Sequence, residues 1–286
     1  MTTFRFAKQA FVFAGLALLS SLMGCTPIGR DAAIGLTAWG RLLIAQERYN
    51  LAEFCLAEAV RADSTYPDSW YTLGLLFSDL DALHGADSCF SCALRLKPIH
   101  YGALLMRGST RYRMGLYFEA IADFSDLITM YPDRSAGYDG RALVNEELGF
   151  DRLALQDLSM AIERAWLKGQ LYHRRGLVFL TLGRHAEAIA DFTMAIASEP
   201  DFADAFADRA SARYERGEFA MAIADCDSAL RIDPEHLSAC YNKGLSADRL
   251  GDREQAVEAY KQFLDIAPEE DPAIPEVQRR IRELEE

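Results

Sequence analysis

Small residues recur along this chain at a fixed interval of 34 positions: Gly40, Gly74, Gly108, Ala142, Gly176, Ala210 and Gly244. A second register, twelve residues further on, is alanine throughout, at Ala52, Ala86, Ala120, Ala154, Ala188, Ala222 and Ala256. A third ends five units with Pro98, Pro132, Pro200, Pro234 and Pro268, while Ser64 and Trp166 stand in the other two places. A period of this size, kept without an insertion or deletion, restricts the chain to an array in which one supersecondary unit is stacked on copies of itself.

Within a unit the pattern is helical and has two halves. In residues 169–182, Tyr172, Gly176 and Phe179 fall at i, i+4 and i+7; Gly183 then stops the first helix, and Ala188, Phe192, Ala195 and Ile196 form the apolar stripe of a second. The unit is a helix hairpin. Small residues are needed where its two helices cross closely, and Phe90, Phe124, Leu158, Phe192 and Tyr260 supply the bulk beside them. Proline after the second helix lacks the N–H to continue it, so the chain turns into the next unit. Half of the residues are apolar, enough to bury a continuous core.

Trp70-x-x-Leu73-Gly74-x-x-Phe77, followed by Ala86, Phe90, Ala93 and Pro98, resembles the full tetratricopeptide repeat (TPR) signature, and the other units match it with substitutions. The resemblance covers residues 33–270, with repeats starting near 33, 67, 101, 135, 169, 203 and 237. It implies an all-α fold, a right-handed α-solenoid of seven hairpins. Residues 271–286 are expected to hold a capping helix, with Val277, Ile281 and Leu284 on one side and Arg279, Arg280, Arg282, Glu283, Glu285 and Glu286 elsewhere.

The first 24 residues stand apart from the array. Arg5 and Lys8 precede an almost wholly apolar run from Ala10 to Leu22, which at about 13 residues is shorter than the ~20 that a spanning helix needs. It reads as an export signal. Its ending, Leu22-Met23-Gly24-Cys25, resembles the cleavage motif of bacterial lipoproteins, with Met23 departing from the small residue usual there. That resemblance implies lipidation of Cys25, a tether over residues 25–32, and export. In enteric lipoproteins an Asp after the Cys retains the protein in the inner membrane; Thr26 stands here instead, so anchoring to the outer membrane, facing the periplasm, is expected.

The net charge of −13 deepens to −15 without the signal, which carries Arg5 and Lys8 and no acid. Such a field repels nucleic acid. No HExxH, GxSxG, phosphate-loop or dinucleotide fingerprint occurs, and His84, His100, His173, His185 and His236 fall at unrelated places in their units. The array is therefore expected to be no enzyme, with no cofactor, no metal and no small-molecule substrate. Cys89-x-x-Cys92 lies mid-helix without the second pair a zinc site needs, so both are read as core residues. Cys226 and Cys240 lie on helices that pack together in TPR arrays; whether they form a disulfide is left open.

One register carries charge. Arg107, Arg141, Arg175 and Arg209, with Lys243 next, stand where the TPR pattern usually has Leu, and Asp123, Asp157, Asp191 and Asp225 follow the arginines by sixteen residues. The first two units have Trp39 and Leu73 at the arginine place and Cys55 and Cys89 at the aspartate place. Charge arrives and leaves as a pair, which points to a structural ladder of ion pairs. Whether the pairs close within a repeat or to the preceding one is open.

TPR arrays present the inner faces of their first helices to a peptide, helix or loop of another protein. Carried onto this chain, those positions hold Tyr71, Tyr112, Tyr214 and Tyr241, with Asp68, Asp79, Asp139, Glu146, Glu147, Asp204, Asp208, Glu215 and Asp248 against Arg41, Arg113, Arg174 and Arg249. Aromatics among mixed polar groups suit recognition, and the acidic excess favours a basic or amphipathic segment. The dicarboxylate clamp of chaperone cofactors needs a set of Lys, Asn and Arg that these positions do not supply. The expected function is a membrane-anchored adaptor that binds partner proteins of the bacterial envelope for assembly, stability or turnover of a complex; the alternatives are a chaperone-like carrier of exported proteins and a non-catalytic subunit of an envelope enzyme.

Overall fold

The hairpin pattern becomes helices joined by turns of one kind. The computed structural model describes residues 28–286; the expected export signal, Cys25 and the first part of the expected tether lie outside the described residues. Fifteen α-helices and no strand are present among the described residues: α1 (Ile28–Ala45), α2 (Tyr49–Ala62), α3 (Pro67–Asp79), α4 (Leu83–Leu96), α5 (Tyr101–Arg113), α6 (Tyr117–Met130), α7 (Ser135–Glu147), α8 (Asp151–Arg164), α9 (Gly169–Thr181), α10 (His185–Ser198), α11 (Ala203–Glu215), α12 (Phe219–Ile232), α13 (Leu237–Leu250), α14 (Arg253–Ile266) and α15 (Ile274–Glu285). The chain divides into two compact units at Val144/Asn145.

Every first helix ends on a left-handed residue: Gly115, Gly149, Gly183, Gly217 and Gly251 have φ of 68° to 80°. In each case the next amide donates five residues back, as Leu116 N does to Arg111 O at 2.8 Å and Arg184 N to Phe179 O at 2.8 Å, closing the last turn. Glu47 (φ 57°) and Asp81 (φ 59°) hold this position in the first two repeats, where a side chain makes the conformation costly.

The small residues meet the large ones predicted to face them. A Cβ added to Gly74 would lie 2.6 Å from the Phe90 ring, to Gly108 2.8 Å from Phe124, to Gly176 2.6 Å from Phe192 and to Gly244 2.5 Å from Tyr260. These rings are at most 2 % exposed, so any larger residue in place of glycine must push the helices apart. In the first unit Leu43, Leu56, Leu73, Leu76 and Cys89 share one cluster with Trp39 and Trp70 packed against it. In the second, α15 closes the stack: Val277, Ile281 and Leu284 are buried against Tyr260 and Phe263, and Arg280 donates twice to Asp248 at 2.6 Å.

Part of the segment expected as a tether is helix. Residues 28–32 are helical, because α1 docks on the end of α2: Ala33 is fully buried, Arg30 bonds to Asp63 and to Thr65 Oγ1 (3.1 Å), and its guanidinium lies 5.1 Å from the Tyr66 ring centre.

Three pairs of the ladder close within their own repeat. Arg107 grips Asp123 with Nε (3.0 Å) and Nη2 (2.6 Å), Arg175 grips Asp191 (2.7 and 2.8 Å), and Arg209 grips Asp225 (2.9 and 2.7 Å). The remaining nitrogen reaches back sixteen residues to a hydroxyl of the preceding repeat: Arg107 Nη1 to Ser91 (3.2 Å), Arg141 to Ser125 (3.1 Å), Arg175 to Ser159 (3.0 Å) and Arg209 to Thr193 (3.0 Å). Lys243, with Ala259 where the others have Asp, pairs back to Asp227 at 2.8 Å. The aspartates are 2–5 % exposed and take further donors one turn along: Arg111 on Asp123, Asn145 on Asp157 and Arg213 on Asp225. Charges buried this deeply are held because each is paired and hydrogen-bonded.

Among the described residues the cysteines are free thiols. Cys89 is 5 % exposed and burial pushes its pKa up to about 12, as it does for Cys226; Cys240 is also buried, and all three are free.

Candidate partner-binding face

In the second unit the first helices α9, α11 and α13 lie side by side. Polar side chains join each to the next. His173 on α9 bonds Asp208 on α11 (2.7 Å), and Asp204 on α11 bonds His236, which caps α13 (3.1 Å). Arg249 on α13 donates to the Tyr214 hydroxyl on α11 (3.3 Å) and stands 5.2 Å from the Phe219 ring centre, while Tyr214 packs on Phe219 at 5.5 Å. Tyr241 is half-buried against Phe263 (5.4 Å), and burial raises its phenol pKa. Arg174 pairs with Glu146 at 2.7 Å.

The first unit repeats the theme on α1, α3 and α5. Arg41 donates to Thr72 Oγ1 (3.1 Å), and Arg113 donates to Ser78 Oγ (3.1 Å) and pairs with Asp81 (2.7 Å). Tyr71 is half-buried against His100 (4.8 Å between ring centres) and Phe90 (6.0 Å), which raises its pKa. Its hydroxyl end lies where a side chain on Gly102 would go, 2.7 Å from a built Cβ. Tyr112 packs on Tyr117 at 5.9 Å, and Asp139 lies partly exposed on α7.

The candidate residues therefore fall on lines of adjacent first helices, but their charges are less available than a count of acids suggests. Asp68, Glu146, Asp204, Asp208 and Asp248 each have a donor or cation from the fold itself. Asp204 still offers 67 % of its side chain to solvent, against 30 % for Asp208.

The histidines correct the sequence reading. His100 and His236 occupy one register four repeats apart, as do their partners Asp68 and Asp204. Each caps a first helix: Ala103 N donates to His100 Nδ1 (3.1 Å) and Ala239 N to His236 Nδ1 (3.3 Å). With Nδ1 accepting, the neutral ring carries its hydrogen on Nε2, which donates to the aspartate (3.3 and 3.1 Å). Burial alone would raise Asp68, yet hydrogen bonds from Tyr66 and His100 outweigh it and hold its carboxyl below the usual range. Among the described residues no three His, Cys, Asp or Glu are grouped to hold a metal ion, and no helix is long and apolar enough to cross a membrane.

Hairpins repeated in register around shared helix interfaces define an all-α protein of the helical-repeat solenoid class. Residues 102–134, 173–236 and 237–270 match models of the tetratricopeptide repeat, and the chain is a TPR protein. Solved structures agree. The C-terminal part of a TPR protein from Cytophaga hutchinsonii superposes with a TM-score of 0.70 at 13% identity, covering 84% of this chain and 98% of that one. A TPR protein from Parabacteroides merdae gives 0.61 at 17% identity, covering 89% and 99%. YrrB, described as a TPR protein with an unusual peptide-binding site, gives 0.56 at 21% identity, covering 66% and 97%. At these identities the likeness is one of fold. No curated protein matches the chain in sequence. The fold is a scaffold for protein–protein interaction.

Proposed function

We propose that this protein is a lipid-anchored adaptor that holds partner proteins at the bacterial outer membrane, with the side-by-side first helices as its binding face. The observation that carries the binding role is the line formed by Tyr214, Arg249, Asp204 and Tyr241 on α11 and α13, where exposed polar groups flank half-buried aromatics on rigid helices. Aromatic side chains of large area and low entropy cost are the usual anchors of such faces. The peptide-binding description of YrrB supports a protein segment as the ligand class. Anchoring rests on Leu22-Met23-Gly24-Cys25, and a basic or amphipathic segment is favoured because Asp204 remains open to solvent at the start of α11.

Photo-crosslinking in cells from position 214, with position 118 on the other helix row as control, tests the face. A small set of partners trapped from 214 alone supports an adaptor. Dozens of exported chains would replace it with a carrier, and equal trapping from both positions would remove the face from the argument. Anchoring is tested by Cys25→Ser, which should leave the membrane fraction after a salt wash; retention there overturns the lipoprotein reading.

A further inference from the structure

The two ends of a stack of hairpins face one physical problem, which is how to finish the apolar surface that the next repeat would cover. In the second unit α15 finishes it with charge, since Arg279 is 55 % exposed and pairs with Glu276 and Glu283 on its outer side. The first unit has no such helix among its described residues. Leu42 on α1 is 46 % exposed, while its equivalents Leu76, Thr110 and Val144 are at most 1 % exposed, covered by the repeat before them. Ser69 and Ala103 are fully buried at the place where Gly35 stands. A Cβ on Gly35 would meet nothing within 4 Å, whereas one on its equivalent Gly137 would lie 2.9 Å from Ile128. Ile34, Ala38, Leu42 and Ala45, spaced four, four and three apart, make one exposed helical stripe. On α2, Leu51 (43 % exposed) and Phe54 (57 % exposed) add to the uncovered apolar surface of this first hairpin.

We propose that this face lies on the membrane surface, so that the first hairpin is an interfacial element and not only the start of the array. The proposal rests on the lipid anchor at Cys25. Only Thr26 and Pro27 separate that residue from α1, and three residue steps reach about 10 Å at most. An acylated Cys25 therefore holds the amino end of α1 within the depth of the headgroup layer, and interfacial helices bury their apolar side about 5–10 Å into that boundary. The stripe is too small to bind lipid strongly unaided. Tethering supplies a high local concentration of bilayer, so weak apolar contacts suffice once the anchor is in place. A second copy is the competing cover, but nothing about Cys25 would hold one there.

Hydroxyl-radical footprinting of the full chain, processed by its own host and reconstituted in phosphatidylethanolamine and phosphatidylglycerol vesicles, tests this. Oxidation of Leu42, Leu51 and Phe54 is compared with Phe118 (71 % exposed) and Trp166 (96 % exposed) in the same sample, and with Cys25→Ser added to the same vesicles. Protection of the three residues by severalfold in the lipidated chain alone, with Phe118 and Trp166 unchanged, is the expected result. Equal oxidation in both samples, while intact mass shows an acylated Cys25, overturns the docking and leaves the anchor standing. An unmodified Cys25 overturns both together. Protection that grows with protein concentration in the absence of vesicles, accompanied by a dimer mass, assigns the face to a second copy and overturns the proposal.

Discussion

The second hairpin and the hairpins from Tyr101 onward solve the same crossing with different chemistry. At the register where α3 and α4 meet, Leu73 and Cys89 are buried in an apolar cluster that includes Leu76 and Trp70. Where α5 meets α6, the same positions hold Arg107 and Asp123, with Arg111 and Asp87 extending the network. The α11/α12 crossing has Arg209, Arg213 and Asp225 but Ile189 at the place of Asp87, and Arg213 Nε is buried without a hydrogen-bond partner. One backbone geometry thus accepts an apolar pair, a balanced set of two cations and two anions, or two cations on one carboxylate. Helix packing specifies the fold, and the charges are an added layer whose balance differs from one crossing to the next.

The comparison breaks most visibly if the shared carboxylate is removed. Asp225→Ala should cost about 3–5 kcal/mol, because it leaves two guanidiniums facing each other in a poorly solvated crossing, whereas Cys89→Ala at the equivalent place should cost about 1–2 kcal/mol. Equal losses in denaturant titrations would mean that the ladder carries no energy. A swap sharpens it next. Arg175→Leu alone should destabilise by about 2–4 kcal/mol, while Arg175→Leu with Asp191→Cys, the chemistry of the second hairpin, should fall within about 1.5 kcal/mol of the unaltered chain. Neither should change partner affinity per folded molecule; binding lost at full stability would move Arg175 from the scaffold to the site.

A smaller effect separates the turns. Glu47→Gly should gain about 0.5–1 kcal/mol by relieving a left-handed residue, and Gly183→Ala should lose a similar amount. A loss on Glu47→Gly would show that the side chain earns its place by an interaction. The smallest effect tests the polar link that the second hairpin does possess. Asp68 is held below its ordinary pKa of about 3.9, so its contribution is complete above that value and disappears as pH falls through the lowered one. The melting difference between the unaltered chain and Asp68→Asn should be constant above about pH 5 and narrow below about pH 4. A difference that persists unchanged into acid would assign the stability to shape and not to the charge.

The 34-residue spacing made the hairpins, the Gly–Phe crossings and the capping helix legible, because all three depend on local period and volume. The partners of charged groups were legible only in part. Arg175 and Asp191 could be matched from their joint appearance, yet the hydroxyl row of Ser91, Ser125, Ser159 and Thr193 sits among many surface serines and threonines and carries no compositional signal. Asp227 as the partner of Lys243 was hidden because another candidate, Asp225, continued the expected series. His100 and His236 were overlooked as a pair because they stand just outside the helices, where counting from a repeat start makes each look like a stray loop residue. The open face of α1 was not legible either, since only the burial of Leu76, Thr110 and Val144 reveals that Leu42 lacks a neighbour.

The reach of the arginines in two directions has a consequence for how the array melts. A linear array behaves as a row of units with an intrinsic term for each and a coupling term between neighbours. The bidentate grip of Arg175 on Asp191 belongs to the intrinsic term, and its single bond to Ser159 belongs to the coupling. Lys243 reverses the allocation: with Ala259 opposite, its whole charge is spent on Asp227 across the hairpin boundary. The final hairpin is therefore poor in internal electrostatics and rich in attachment, which is the arrangement that suppresses fraying at a terminus. Peeling it away would break the Asp227–Lys243 pair, so α12 and α13 should lose protection from amide exchange together.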